Sequence, residues 1–166
     1  MANDNSPCAV DATPLSAPVS APAPQQQIEV EYWTDPLCCW SWALEPQWRR
    51  LRYEFDGALR WRYRMGGMIP EWSTYHDPLN SINRPSQMGP MWFQARHISG
   101  MPLEDRIWVE DPPASSFLPC LAIKAAERQS AHAAERYLRR AREALMMHRR
   151  NIARREVLLA LADALA

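Results

Sequence analysis

Two adjacent cysteines, Cys38 and Cys39, lie in the segment TDPLCCWSWALEP, between a turn signal and a helix-like pattern. A thiol at the start of a helix faces unpaired backbone N–H groups and the positive end of the helix dipole. Both effects favour the thiolate, which is the nucleophilic form of cysteine. Composition alone fits two buried, inert cysteines equally well, but their placement at a helix start favours a reactive thiol at Cys38.

The third residue after Cys38 is Ser41, where a dithiol couple would carry its second cysteine. In a C-x-x-C pair the first thiol attacks and the second resolves the mixed disulfide. Serine can donate a hydrogen bond to the thiolate but cannot close a disulfide, and a ring between Cys38 and Cys39 would strain the intervening peptide. The sequence therefore predicts single-thiol chemistry: attack, a mixed disulfide with a partner or glutathione, and release by another thiol.

Other residues of the same segment are expected to support the thiol. Pro46 lies inside an otherwise good helical pattern, where it removes a backbone donor and should kink the helix. Trp40 and Trp42 flank Ser41, and we expect one of them to cover the thiol and the other to enter the core.

Two acidic residues are close enough in sequence to accept a proton from the thiol, Glu31 and Asp35. A surface glutamate on a strand and an aspartate that forms a turn are the simpler interpretations. The histidines share no metal-ligand spacing with the cysteines, which themselves lack C-x-x-C zinc geometry. No metal site is predicted.

The elements that must position the cysteines form a strand, a helix and a second strand. Residues 28–33, IEVEYW, alternate apolar and acidic side chains before the turn. Residues 42–55 carry apolar side chains at largely helical spacing, and residues 58–65, ALRWRYRM, alternate strictly. Such a β-α-β unit should have parallel strands and a right-handed crossover, and its first loop opens the helix at which the cysteines lie.

The rest of the chain divides by composition. A proline- and methionine-rich passage contains one predicted short helix at residues 86–96, and its RIWVEDPP segment is interpreted as a packed connector. Three amphipathic helices are predicted near the end, from the apolar series that include Leu121, Tyr137 and Leu159. The predicted segments are a disordered tail (1–27), a β-α-β half (28–66), a connector (67–118) and a helical insert domain (119–166).

Composition limits the function classes. The 166 residues, 47% of them hydrophobic, suffice for one core, and a formal net charge of zero gives no overall field for nucleic acid or membrane. The basic residues between 124 and 155 are interpreted as a solvated helix face. The opening residues, which include Cys8, lack the pattern of a secretory signal, and no run approaches the roughly 20 apolar residues of a membrane span. We expect a cytoplasmic protein with reduced thiols.

The order of these motifs resembles the DsbA-like thioredoxin-fold family: a strand, D-P-x-C-x-x-[C or S]-W, a proline in the helix, and a second strand. The similarity is to its cytosolic branch of DsbA-family oxidoreductases and ClpXP adaptors, and more distantly to kappa-class glutathione transferases. RWRYRMGGM, VEDPPASSFLPCLAIKAAERQ and YLRRAREALMMHRRNIARREVLLALA also look like this branch. The resemblance implies an α/β protein, with a partial thioredoxin fold and an inserted α-helical domain.

The resemblance also implies roles for individual residues. Cys38 matches the attacking cysteine, Ser41 the resolving position and Pro46 the helix-kinking proline. Cys120 falls at the entry to the helical insert and is expected to pack as a small apolar residue. The implied activity is thiol-disulfide exchange with protein thiols or glutathione adducts, with glutathione as a candidate co-substrate and no bound cofactor. A non-enzymatic adaptor that binds a client protein for proteolysis is the alternative.

Two departures from the family pattern shape these expectations. The first is Ser41 in place of the resolving cysteine. The second is that the family continues from the helical insert to a third strand, a cis-proline loop, a fourth strand and a final helix, whereas this sequence stops at Ala166. We therefore expect a truncated chain without the C-terminal strands, for which an inactive fragment is a further alternative. The open edge of a two-stranded sheet would favour association with another chain.

Overall fold

The computed structural model describes residues 27–165. Most of the predicted tail, with Cys8, lies outside the described residues. The elements along the chain are β1 (Ile28–Thr34), α1 (Cys39–Ala43), α2 (Glu45–Glu54), β2 (Leu59–Met65), α3 (Met88–Ser99), α4 (Ile107–Glu110), α5 (Phe117–Glu127), α6 (Ala131–Met146) and α7 (Arg155–Asp163).

The two strands form a parallel pair, in which Ile28 lies opposite Leu59 and Thr34 opposite Met65. This arrangement confirms the predicted β-α-β unit. Alternation along β2 produces the two faces that the sequence indicated, because its arginines pair with Glu29 and Glu31 on the exposed face. On the other face, ring centroids of Tyr32 and Trp48 lie 5.1 Å apart, so the sheet packs on α2.

The predicted helix between the strands is two helices. The break falls at Leu44, and Pro46 lies in the first turn of α2. Proline is well suited to that position because the first N–H groups of a helix have no intrahelical partner. The expected interruption is present, and it separates the short helix of the cysteines from the longer helix beneath the sheet.

The connector between β2 and α5 contributes to the core. The predicted short helix is α3, preceded by a 3₁₀ turn at Pro85–Gln87. RIWVEDPP, interpreted as a connector, contains the single-turn helix α4, whose Trp108 is buried edge-on against Trp92 with ring centroids 5.2 Å apart. Between α3 and α4, the carbonyl of Pro102 accepts a hydrogen bond from Trp42 of the cysteine helix at 3.0 Å.

The three predicted C-terminal helices are present as α5, α6 and α7. Tyr137 of α6 is buried, and its hydroxyl donates to the carbonyl of Leu158 at 2.6 Å. In contrast, Leu121 and Leu159 are 65% and 53% exposed and line an apolar groove between α5 and α7. Spacing identifies which residues share a helix face, but it cannot show whether another element covers that face.

The helices among residues 27–165 include none that is long and apolar enough to cross a lipid bilayer.

Candidate functional site

Cys38 is the N-cap residue of α1. Its backbone is extended, with φ of −76° and ψ of 111°, and its Sγ accepts a hydrogen bond from the Ser41 N–H at 3.4 Å. The sulfur thus takes the place that an oxygen of Ser, Thr or Asp fills at most helix starts. The thiol is half-buried and faces the first turn of the helix, as the sequence predicted.

Asp35 builds the loop that leads to Cys38. Its carboxylate accepts hydrogen bonds from the N–H of Leu37 at 2.9 Å and from the N–H of Met68 at 2.7 Å. Its backbone carbonyl accepts from the Cys38 N–H at 3.1 Å. Asp35 is buried, so these bonds replace the water that the carboxylate loses. The structure therefore gives Asp35 the turn-forming role, and it ties the cysteine loop to the segment after β2.

The three cysteines among the described residues are free thiols in different surroundings. Cys39 is only 1% exposed, and burial, together with the neighbouring Cys38, raises the pKa of its thiol to about 12. Burial and the nearby Asp35 carboxylate likewise raise the pKa of Cys120 to about 12, and the Cys120 Sγ lies 3.6 Å from Asp35 Oδ2. Cys38 is the most accessible of these three cysteines, while Cys39 and Cys120 are buried.

These differences predict selective alkylation. In a Cys8→Ser background at pH 7, iodoacetamide should modify Cys38, whereas Cys39 and Cys120 should react only after denaturation, because burial and a raised pKa leave little accessible thiolate. Peptide mapping by mass spectrometry measures the site. A Cys38→Ser variant serves as the control and should remain unlabelled in the native state. Equal labelling of Cys39 and Cys38 in the folded protein would contradict this assignment.

The two tryptophans beside Ser41 have different environments. Trp42 is 1% exposed and its Nε1–H donates to the carbonyl of Pro102 at 3.0 Å, so it enters the core. Trp40 remains 39% exposed on the same short helix. Ser41 lies between them with its backbone N–H directed at the Cys38 sulfur.

Glu31 belongs to the exposed face of the sheet. Its Oε1 lies 2.6 Å from Arg64 Nη2 and 3.2 Å from Arg62 Nε. The hydrogen bond from Arg64 lowers the pKa of this carboxyl, which keeps it an anion paired with β2. These contacts support the simpler interpretation of Glu31 as a surface strand residue.

Within residues 27–165, no group of three or more His, Cys, Asp or Glu side chains is arranged to hold a metal ion.

The sequence of the chain matches a known protein family. A family model described as thioredoxin matches residues 32–166. The chain belongs to the thioredoxin family. The α/β fold predicted from the sequence, part of a thioredoxin fold with a helical insertion, is confirmed by this match and by similar solved structures.

Several relatives of this thioredoxin-family chain are named as adapter proteins. The chain is 32% identical over 139 residues to the ClpXP adapter protein SpxH of Halalkalibacterium halodurans, and the match covers 84% of this chain and 45% of that protein. It is 30% identical over 142 residues to SpxH of Bacillus subtilis, with the same coverage. The chain thus spans about half the length of these relatives.

A similar solved structure is the cytosolic disulfide reductase DsbM from Pseudomonas aeruginosa with GSH. It is 26% identical, has a TM-score of 0.63, and the match covers 84% of this chain and 65% of that one. The resemblance to DsbA-like proteins is thereby confirmed. The similar proteins include both an oxidoreductase and adaptors.

Sequence analysis missed a pair of buried charges beneath the cysteine loop of this thioredoxin-family chain. Arg142 of α6 is 1% exposed, and its Nη1 lies 3.3 Å from Oε2 of the buried Glu45, the first residue of α2. One signal was available in the sequence: Arg142 follows Leu138 by four residues and precedes Leu145 by three, so it falls on the apolar face of α6.

Proposed function

We propose that this chain is a thiol-disulfide exchange protein that reacts through the single thiol of Cys38. The observation that carries the proposal is the N-cap position of Cys38, a partly exposed residue with a serine at the resolving position. Cys39 cannot resolve a mixed disulfide readily, because it is buried and its pKa is raised to about 12.

The proposed reaction needs only thiols and a disulfide. The Cys38 thiolate attacks one sulfur of glutathione disulfide or of a protein disulfide, the S–S bond breaks, and the other sulfur leaves as a thiolate that takes up a proton. Cys38 then carries a mixed disulfide. A second thiol, such as glutathione, attacks the outer sulfur of that adduct and forms a new disulfide with it, and Cys38 leaves as a thiolate. When the substrate is a protein disulfide, the two electrons that reduce it come from the thiols of the pool, which are oxidised to a disulfide. No bound cofactor is required.

The family comparison supports this reaction class and its setting. The DsbM structure is described as a cytosolic disulfide reductase with GSH, which motivates glutathione as the co-substrate and the cytoplasm as the compartment of this chain. Protein thiols are the proposed second substrate class.

A mixed disulfide between Cys38 and glutathione is the expected product, and mass spectrometry can detect it directly. A Cys8→Ser chain incubated with glutathione disulfide should gain one adduct by intact-mass measurement, because Cys38 is the partly accessible thiol among the described cysteines. Cys39→Ala should keep the adduct, and Cys38→Ser should lose it. An unmodified Cys8→Ser chain, or an adduct that survives in Cys38→Ser, would reject the proposed chemistry.

The second candidate is a thiol-independent adaptor, which the SpxH relatives favour by name. In that case the chain presents a client protein to ClpXP and Cys38 is dispensable. Direct binding of the purified chain to purified ClpXP, equal for wild type and Cys38→Ser, supports this candidate. Absence of binding rejects it. A folded chain that neither binds ClpXP nor forms an adduct would contradict both functions.

A further inference from the structure

The guanidinium of Arg142 makes contacts on two sides of the cysteine loop. Its Nη1 pairs with Glu45 Oε2 at 3.3 Å, at the start of α2. Its Nη2 donates to the hydroxyl of Thr34, the last residue of β1, and approaches the carbonyl of Asp35 at 3.5 Å. One side chain of α6 therefore bridges the end of β1 and the start of α2, and the segment between these two points carries Cys38.

Packing alone gives a weak reason for this arrangement. Burying an ion pair removes both charges from water, and replacing such a pair by apolar residues of similar volume is often neutral or stabilising. Arg142 Nε is buried and makes no hydrogen bond to any part of the chain between residues 27 and 165. A side chain selected only to fill the core between α6 and α2 would not need to desolvate a guanidinium.

The contacts of Arg142 are connected to the backbone of Cys38. The Asp35 carbonyl that Arg142 approaches is the same carbonyl that accepts the Cys38 N–H at 3.1 Å. At the other end, Glu45 follows Leu44, the residue that separates α1 from α2. A shift of either anchor would move the N-cap and with it the Cys38 sulfur.

We infer that Arg142 is a positioning residue that, through Thr34 and Glu45, fixes the loop presenting Cys38 for attack on a disulfide. The inference rests on the proposed function, since it assumes that Cys38 reacts. In-line attack requires the sulfur to be held in the correct direction, and a misplacement of about 1 Å can slow a reaction by about a hundredfold.

A second ion pair between α2 and α6 provides a matched control. Arg52 Nη2 donates to Glu135 Oε2 at 3.0 Å, and the Arg52 guanidinium stacks 3.9 Å from the centroid of Trp61. This pair joins the same two helices but lies near the C-terminal end of α2, away from the cysteine loop. Losing it should weaken the packing of α6 without changing the position of Cys38.

The test measures the rate constant for adduct formation with glutathione disulfide in the Cys8→Ser background. All variants are compared at a temperature where circular dichroism shows each to be fully folded. Arg142→Met and Thr34→Val should each react about ten- to a hundredfold more slowly. Arg142→Lys should recover part of the rate, since one ammonium can pair with Glu45 but cannot span both anchors. Arg52→Met should lower the melting temperature and leave the rate unchanged.

Thr34→Val keeps the experiment decisive if Arg142→Met does not fold, because valine preserves the shape of threonine and leaves the Arg142–Glu45 pair intact. The double variant should be no slower than Arg142→Met alone, because Arg142→Met already removes the Arg142–Thr34 hydrogen bond that Thr34→Val removes. Rates for Thr34→Val and the folded Arg142 variants equal to that of Arg52→Met would overturn the positioning role while the proposed function stands. A Cys8→Ser chain that forms no adduct would overturn both.

Discussion

A Ser41→Cys variant is expected to convert the glutathione adduct on Cys38 into an internal disulfide between Cys38 and the new thiol. The Ser41 N–H lies 3.4 Å from the Cys38 sulfur, so a thiol at position 41 would sit one helical turn from the mixed disulfide. Attack within one molecule avoids the entropy cost of bringing in glutathione. We expect the adduct to resolve at least about a hundredfold faster than it does by millimolar glutathione in the parent chain.

Acid-quenched samples analysed by intact mass and peptide mapping follow this conversion over time. The starting protein is the Cys8→Ser chain, so that each thiol observed belongs to the described residues. Ser41→Ala should keep the adduct, because it supplies no thiol. Ala43→Cys is the positional control: it adds a thiol to the same helix α1, but on a different face from Cys38. An adduct that persists equally in Ser41→Cys and Ser41→Ala would show that the position is not poised for resolution.

The thiol loop and the β-α-β unit were readable from sequence because their signals are local. Alternation along ALRWRYRM defines a strand by itself, and Asp35-Pro36 marks the turn before the cysteines. Pro46 predicts an interruption of the helix, and the structure places the break two residues earlier, at Leu44. These features need only a few neighbouring residues to be recognised.

The anchoring of the loop could not be predicted in the same way, because it depends on distant parts of the chain. Arg142 reaches Glu45 across 97 positions and Thr34 across 108. The buried partner of Asp35 at Cys120 is likewise 85 positions away. An arginine on an apolar helix face indicates that some buried acceptor exists, but a single sequence does not say which one.

The sequence also could not predict which of Trp40 and Trp42 is buried in the core. Both flank Ser41 in a five-residue helix, where spacing does not decide which ring enters the core. The deciding contact is the hydrogen bond from Trp42 Nε1 to the Pro102 carbonyl, in the loop after α3. The cysteine helix therefore packs against a connector in which the sequence predicted a short helix and a packed segment, but not this contact with Trp42.

Trp42→Ala is expected to destabilise the protein strongly. The side chain is 1% exposed, so its removal leaves a large cavity and removes the hydrogen bond to the Pro102 carbonyl. Truncating a buried tryptophan costs about 3–5 kcal/mol of the free energy of unfolding, a large part of the roughly 5–15 kcal/mol typical of a folded domain. Urea titration followed by circular dichroism measures the loss.

Trp40→Ala is the matched comparison, because it removes the same side chain from the same helix two residues earlier. Trp40 is 39% exposed, so we expect its loss in the free energy of unfolding to be well below that of Trp42→Ala.

Trp42→Phe should separate packing from hydrogen bonding, since phenylalanine fills much of the cavity but does not donate to the Pro102 carbonyl. Equal losses in Trp40→Ala and Trp42→Ala would contradict the placement of Trp42 as the core anchor of the cysteine helix. A Trp42→Phe variant as stable as the parent would show that burial of the ring, and not its N–H, holds that helix against the Pro102 loop.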